Sequence, residues 1–208
     1  SSTRTALFRT IWDYFERFQE FTTWLEIVKE QTFLINPYKT IKWNMDKHYL
    51  KELEEKGTTI IPTRIFETGD KRTLEEISSF NGSERLILKP AVSGGSRHTY
   101  VLTKDNIKAH EKVYSELIKS ESMLLQPFIK SILSSGEASH IFFNGNYSHS
   151  ILKKAKPGDF RVQDQWGGTF SLFEASPDDI SFSEKVLSSC REMPVYARVD
   201  HVWLDSGE

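Results

Sequence analysis

The feature that most constrains the fold is a pair of alternating apolar segments, Ala138 to Phe143 and Tyr147 to Lys153, joined by Asn144-Gly145-Asn146. Alternation at period two marks half-buried strands, and Asn-Gly supplies the positive φ angles that a tight hairpin turn demands. A second strand pair is predicted upstream. Arg85 to Pro90 reads as a buried strand ending in a charge, Ala91 to His98 as a glycine-containing loop, and Thr99 to Leu102 as the return strand. Hairpins in both halves with helices between them predict an α+β chain and not a doubly wound parallel sheet.

Other elements fill in around these pairs. A strand over Ala6 to Ile11 leads into an aromatic-rich helix from Asp13 to Glu30, whose Phe15, Phe18, Phe21, Leu25 and Val28 recur at helical spacing and read as core. Asn36-Pro37 breaks that pattern. A second helix is expected with Asn44 as N-cap, Lys47 in its first turn and Gly57 just past its end. Thr59 to Ile65 reads as a short strand, and Thr73 to Glu76 as a capping box opening a short helix. Thr103 is expected to cap a helix carrying Ile107, Val113, Tyr114 and Leu117, and Met123 to Ile129 forms another buried strand. A polar loop over 157–168 precedes a strand at 169–173, Ser181 to Glu184 reads as a second capping box, and a strand over 195–204 closes the chain.

Composition removes several functional classes. The 208 residues carry a net charge of −2 and a pI near 6.3, without the basic excess expected of a nucleic-acid binder. No apolar run approaches the roughly 18–20 residues that span a bilayer, and the first ten residues lack the apolar core of a secretory signal. Cys190 is the single cysteine, which excludes an intrachain disulfide and a thiolate zinc cluster. A cytoplasmic location is the default expectation. The six histidines show no pair at metal-ligand spacing, so a zinc site is not expected. The chain reads as cut at both ends, since it opens on a strand with no earlier partner and stops at the turn signal of Asp205 to Glu208.

The chemistry-bearing residues are individually ambiguous. Lys89 sits where a buried strand meets Ser93-Gly94-Gly95, and glycine lets backbone N–H groups approach a phosphate; the same residues equally describe an ordinary hairpin turn. Lys47 is a cation near a helix start, suited to a shared anion or simply to solvent. Lys153 and Arg161 flank a glycine-containing polar loop and are able to clamp a phosphoryl or carboxylate group, or to decorate an exposed hairpin. Asp200 lies in an apolar strand, where its partner is either a magnesium ion or Arg198 two residues away on the same face.

The order of these residues is more informative. Lys47, then Lys89 with Ser93-Gly94-Gly95, then Gln126-Pro127-Phe128-Ile129, Glu137, Lys153, Gly158-Asp159-Phe160-Arg161, Gly167-Gly168 and Arg198-Val199-Asp200 together resemble the ATP-grasp superfamily. The likeness is to glutathione synthetases, ribosomal-protein glutamate ligases and the cycloserine-biosynthesis ligase group, and runs from about Trp12 to Asp200. The resemblance implies an α+β fold of two small lobes, each an antiparallel sheet with helices, and a nucleotide cleft between them. Residues 1–41 would be the remnant of an N-terminal lobe, 42–129 the first ATP-grasp lobe, and 130–208 an incomplete second lobe. Lys47 and Lys89 would hold the α- and β-phosphates, and Ser93, Gly94 and Gly95 would belong to a flap over the triphosphate. Gln126, Pro127, Phe128 and Ile129 would form the hinge that reads the adenine, and Glu137 would take the ribose. Lys153 stands where family members carry an arginine, Arg161 would contact the γ-phosphate, and Asp200 would be the first magnesium ligand. Further metal ligands would lie just beyond Glu208.

That assignment implies ATP and Mg²⁺ as cofactors and, as substrates, a small-molecule or peptide carboxylate and an amine acceptor. The reaction would be carboxylate–amine ligation through an acyl phosphate, with no nucleic acid or membrane involved and no oligomeric state implied. Lys153 in place of arginine motivates a second reading, a nucleotide-binding regulatory or scaffold module of degenerate ATP-grasp fold without ligase activity. A third, an interaction domain that binds no nucleotide, leaves the ordered cations and glycine turns without a purpose.

Overall fold

A computed structural model describes residues 3–9, 11, 13–78 and 83–204. Trp12, Asp205 to Glu208 and the turn signal expected there lie outside the described residues. The chain divides into two compact units: Ser1–Ile11, Arg17–Trp43 and Ile129–Glu208 form the first, and Trp12–Glu16 with Asn44–Phe128 the second.

The second unit is a four-stranded antiparallel sheet backed by helices. Its strands β3 (Arg64–Phe66), β4 (Leu86–Pro90), β5 (Tyr100–Leu102) and β6 (Met123–Pro127) run in the order β3-β6-β4-β5. Period-two alternation sends Leu86, Leu88 and Pro90 of β4 into the interior and leaves Ile87 and Lys89 on the opposite, half-buried face. The interior face packs Leu102, Met123 and Leu125 against Leu74 and Ile77 of α4 (Leu74–Ile77) and Ile107, Tyr114 and Ile118 of α5 (Ile107–Leu117) and its end. The expected capping box is present: Thr73 Oγ accepts from Glu76 N at 3.2 Å while Glu76 accepts from Thr73 N at 2.6 Å. The second unit also holds α3 (Tyr49–Glu55).

In the first unit, β7 (Glu137–Phe143), β8 (Asn146–Lys154), β9 (Thr169–Phe173) and β10 (Tyr196–His201) form an antiparallel sheet ordered β10-β7-β8-β9. The hairpin between β7 and β8 turns through Asn144 at φ 50° and Gly145 at φ 78°, the left-handed pair that the sequence predicts. One face of this sheet, through Phe142 and Val199, packs on Leu187 of α7 (Pro177–Ser188). Two shorter strands, β1 (Thr5–Leu7) and β2 (Phe33–Ile35), pair in parallel around α1 (Phe18–Val28). Asn36 ties this piece to the larger sheet: its Oδ1 accepts from Val195 N at 2.7 Å and its Nδ2 donates to Tyr196 O at 2.7 Å. Short helices α2 (Tyr38–Asn44) and α6 (Ser131–Ser134) complete the elements.

Several local expectations are corrected. The first strand spans Thr5–Leu7 instead of Ala6 to Ile11, and its partner, β2, comes later in the chain. The first long helix begins at Phe18, and the short strand after α3 begins at Arg64. Asn44 is the last residue of α2, not an N-cap; Pro37 pre-sets the helical turn earlier, its carbonyl accepting from Ile41 N at 3.0 Å. Lys47 therefore lies between helices, where Asp46 Oδ1 accepts from His48 N at 3.0 Å and fixes the entry to α3. The cap of helix α7 lies five residues before Ser181: Ser176 and Asp179 make the reciprocal box and Pro177 occupies the first turn. Ser176→Ala should lower stability by about 1 kcal/mol, read as a reduced midpoint in urea unfolding followed by circular dichroism; an unshifted midpoint would show that the cap contributes nothing.

Candidate functional site

In the second unit the loop after β4 is built around Lys47. Its backbone N donates to Ala91 O at 3.1 Å, and its Nζ donates to Ala91 O at 3.2 Å and Ser93 O at 2.8 Å. Lys89, on the half-buried face of β4, lies near enough to act on Lys47 electrostatically. Burial, then the Lys89 charge, pull the Lys47 ammonium down to about 7, and Asp46 offsets this only in part. Two repelling lysines, one of them desolvated, are the donor chemistry that a polyanion satisfies. The loop is shaped for close approach: a Cβ on Gly94 would sit 2.5 Å from Phe15 Cε1. Ser93 Oγ donates to Arg97 O at 2.9 Å, and Gly95, Ser96 and His98 all take positive φ. Arg97 is held by a bidentate pair to Glu121 at 2.7 and 2.8 Å, which anchors the far side of the loop.

Gln126 and Phe128 are buried at the end of β6. Gln126 shares its face with Lys89 through the β4–β6 register and donates to Thr63 Oγ1 at 2.7 Å. Phe128 N donates to Arg85 O at 3.1 Å, and the Arg85 guanidinium lies over the Phe128 ring. The second unit ends at Phe128; Ile129 begins the last segment of the first.

In the first unit, register alone assembles a charge lattice on one sheet face. Glu137 pairs with Lys153 across β7–β8, and Ser139 with Asp200 across β7–β10. Lys153 Nζ lies 2.5 Å from Glu137 Oε1 and 3.4 Å from Asp200 Oδ1. Arg198, on the same face of β10, donates from Nε and one terminal nitrogen to the two oxygens of Asp200, each at 2.8 Å, and Ser139 Oγ donates to Oδ1 at 2.5 Å. Of the two partners weighed for Asp200, Arg198 is engaged, and the Asp200 side chain keeps 33% exposure. Crowding by protein atoms raises the Asp200 carboxyl, but Arg198 and Lys153 outweigh it and the net direction is down. Glu137 moves the opposite way, raised by burial and by the neighbouring Asp200 despite Lys153. Asp200 is an oxygen donor of the kind that magnesium accepts, while Glu137 is paired with Lys153.

Arg161 sits in a separate cluster. Asp159 Oδ1 accepts from the backbone N of Phe160 and Arg161 at 2.8 and 3.0 Å, and the Arg161 side chain is bidentate on Asp159 at 2.7 and 2.9 Å. That pairing, more than the backbone bonds, holds the Asp159 carboxyl well below its usual range. The guanidinium lies 3.5 Å from the Trp166 ring centroid, which makes Trp166 a packing platform for Arg161. Sequence reasoning overlooked Asp159, Ser139, Gln126–Thr63 pairing and the Arg97–Glu121 clamp as supports. It also excluded a histidine pair, whereas β7–β10 pairing brings His140 and His201 to a ring separation of 4.6 Å on the opposite sheet face. Diagonal neighbours across strands carry no fixed spacing in sequence, so the signal lay only in the register.

The structure has the fold of the ATP-grasp ligases. Residues 1–36 match the family described as D-cycloserine synthetase DcsG, N-terminal domain. The cycloserine biosynthesis protein DcsG of Streptomyces lavendulae is 30% identical over 155 residues, covering 72% of this chain and 52% of that protein. The chain therefore spans about half the length of the curated relative. The crystal structure of D-cycloserine synthetase DcsG superposes with a TM-score of 0.87 at 25% identity, over 98% of this chain and 72% of that one. The ATP-grasp ligase PsnB, solved with a precursor peptide and AMPPNP, shares the fold with a TM-score of 0.60 at 14% identity, over 99% of this chain and 66% of PsnB.

The depressed Lys47 makes a pH prediction. Its folded value, about 7, lies below the ordinary lysine value of 10.5, so the unfolded chain holds the extra proton between those limits. Its contribution to stability is therefore lowest below about pH 7 and rises with pH across that window. Thermal midpoints measured from pH 7 to pH 9 should rise more steeply in the unaltered chain than in Lys47→Met; equal slopes would contradict the assignment.

Proposed function

We propose that this chain is the nucleotide-binding part of an ATP-dependent carboxylate–amine ligase that works through an acyl phosphate. The observation that carries the reading is the Lys47–Lys89 pair, two mutually repelling cations at a glycine loop, with Lys47 held to that loop by Ala91 and Ser93. A triphosphate relieves their repulsion, and the N–H groups around Gly94 and Gly95 add neutral donors. Gln126 to Ile129 supply backbone groups for a base edge, and Glu137 an acceptor for ribose hydroxyls. Mg²⁺, held by Asp200, would neutralise phosphate oxygens in a set of hard ligands.

The substrate carboxylate is a poor electrophile until one oxygen leaves as phosphate, so the chain's work is positioning and charge balance. Lys89 in the second unit, and Arg161 in the first, each offer a positive charge suited to a phosphoryl group. Lys153 offsets the repulsion between Glu137 and Asp200 on one face. An amine then attacks the activated carbonyl carbon and phosphate departs. The relatives' names, a cycloserine synthetase and a ligase bound to a precursor peptide, support amino acid or peptide substrates. We place the protein in the cytoplasm; among the described residues no helix is long and apolar enough to cross a membrane.

A second reading, a nucleotide-binding module that does not ligate, draws on the Arg198–Asp200 pair, in which both carboxylate oxygens are engaged. Calorimetric titration of Mg-ATP distinguishes these from an interaction domain. Lys89→Ala should weaken binding by about 10- to 100-fold, or roughly 1.4–2.8 kcal/mol, and undiminished affinity would remove Lys89 from the site. Release of ADP with a carboxylate present supports ligation, and tight binding without turnover supports the second reading.

A further inference from the structure

The face of the β10-β7-β8-β9 sheet that packs on α7 carries a second constellation, which the nucleotide chemistry does not use. His140 on β7, His201 on β10 and Asp179 in the first turn of α7 direct one ligand atom each toward a common point, all within 4.8 Å of one another. His140 Nε2 lies 3.5 Å from His201 Nε2, and His201 Nε2 lies 3.5 Å from Asp179 Oδ1. These separations are too long for good hydrogen bonds between the groups. They do match the edge of a coordination tetrahedron: metal–ligand bonds of about 2.0–2.1 Å imply ligand–ligand edges of about 3.3–3.4 Å.

The surroundings favour the same reading. His140 is fully buried, while the side chains of His201 and Asp179 keep 8% and 13% exposure. His140 Nδ1 shares a 2.5 Å hydrogen bond with Ser150 Oγ, which Tyr147 OH supports at 2.8 Å. That leaves Nε2 as the nitrogen aimed at the cluster, the outer-shell arrangement typical of metal-ligating imidazoles. Trp203 Nε1 donates to Asp179 Oδ1 at 3.2 Å, and Ser176 N and Oγ hold Asp179 Oδ2 at 3.0 and 2.7 Å, so the carboxylate is fixed from both sides. His201 Nδ1 is buried without a hydrogen-bond partner, which leaves this imidazole poorly satisfied unless Nε2 gains a strong interaction.

We propose that His140, Asp179 and His201 form a binding site for Zn²⁺ or a similar late first-row divalent ion, distinct from the magnesium position at Asp200. Two imidazoles and one carboxylate suit such an ion, and Mg²⁺ prefers an all-oxygen shell. Three protein ligands leave a fourth position for water. Bound there, the ion ties the first turn of α7 to β7 and β10 and stabilises the sheet whose other face carries Glu137, Lys153 and Asp200.

The test uses the tag-free 208-residue chain, stripped with chelator and titrated with Co²⁺ in excess Mg²⁺. One equivalent should produce the visible bands of four-coordinate cobalt, quench Trp203 fluorescence and raise the thermal midpoint. Zn²⁺ should displace it. Loss of an outer-shell partner of such sites already costs about 10- to 100-fold in affinity, so His201→Asn and Asp179→Asn should weaken binding by ~100-fold or more. Asp200→Asn should leave cobalt uptake unchanged. Circular dichroism confirms that each variant is folded, and the wild-type titration stands whatever the variants do. No uptake by the folded wild type overturns the proposal. So does uptake that survives His201→Asn and Asp179→Asn, or that disappears in Asp200→Asn.

Discussion

The antiparallel pairing of β7 with β10 and β8 is the constraint on which the first unit depends. It sets Glu137 opposite Lys153 and Ser139 opposite Asp200, so four charged groups meet on one face. Like charges alone would not be tolerated there: Glu137 and Asp200 stand close enough to raise Glu137, and only Lys153 and Arg198 make the arrangement stable. The same alternation turns Phe142 and Val199 to the other face, where Leu187 covers them. A slip of one residue would exchange the two faces, burying the charges and exposing the core. The Asn144-Gly145 turn starts the β7–β8 ladder, and a bulge between Ile141 and Phe142 shifts it by one residue before Glu137 meets Lys153, so both are as much a part of the site as the charges.

The second unit solves a different problem. Its sheet presents a cation beside the loop after β4, and it does so by making Lys47 part of the loop's own support. The ammonium donates to Ala91 and Ser93 carbonyls while standing near Lys89. Burial makes this unfavourable for the charged form, a local cost carried by the interior of Leu86, Leu88, Leu102 and Met123. Strain of this kind marks functional sites more often than structural ones. It supports the nucleotide reading independently of the likeness to known ligases.

Much of the fold was legible because short-range signals dominate it. Alternation located β7 and β8 and buried apolar runs located β4 and β6, while Thr73 to Glu76 announced α4 with both hydrogen bonds in place. Misreadings arose where two local signals competed. Ser181 to Glu184 fits a capping box in sequence, yet Ser176-Pro177 offers both a cap and a pre-set φ, and the earlier start wins. Asn44 likewise lost its expected role to the Pro37 turn upstream. Within the candidate site, Lys47, Lys89, Lys153 and Asp200 were singled out by their order along the chain. Their supports were not, since Ser139, Asp159 and Glu121 matter only through register or loop closure. The His140–His201 pair was illegible for the same reason: 61 residues separate them, and only the β7–β10 ladder makes them neighbours.

Hydrogen–deuterium exchange of the chain with and without Mg-AMPPNP tests the central claim most directly, because it reads both units in one experiment. The account predicts slowed exchange in residues 91–99 and 123–128 of the second unit's loop and strand, together with Ile129 and the strand ends at Glu137, Lys153 and Asp200 in the first. Protection confined to other segments, or none at saturating nucleotide, would contradict it.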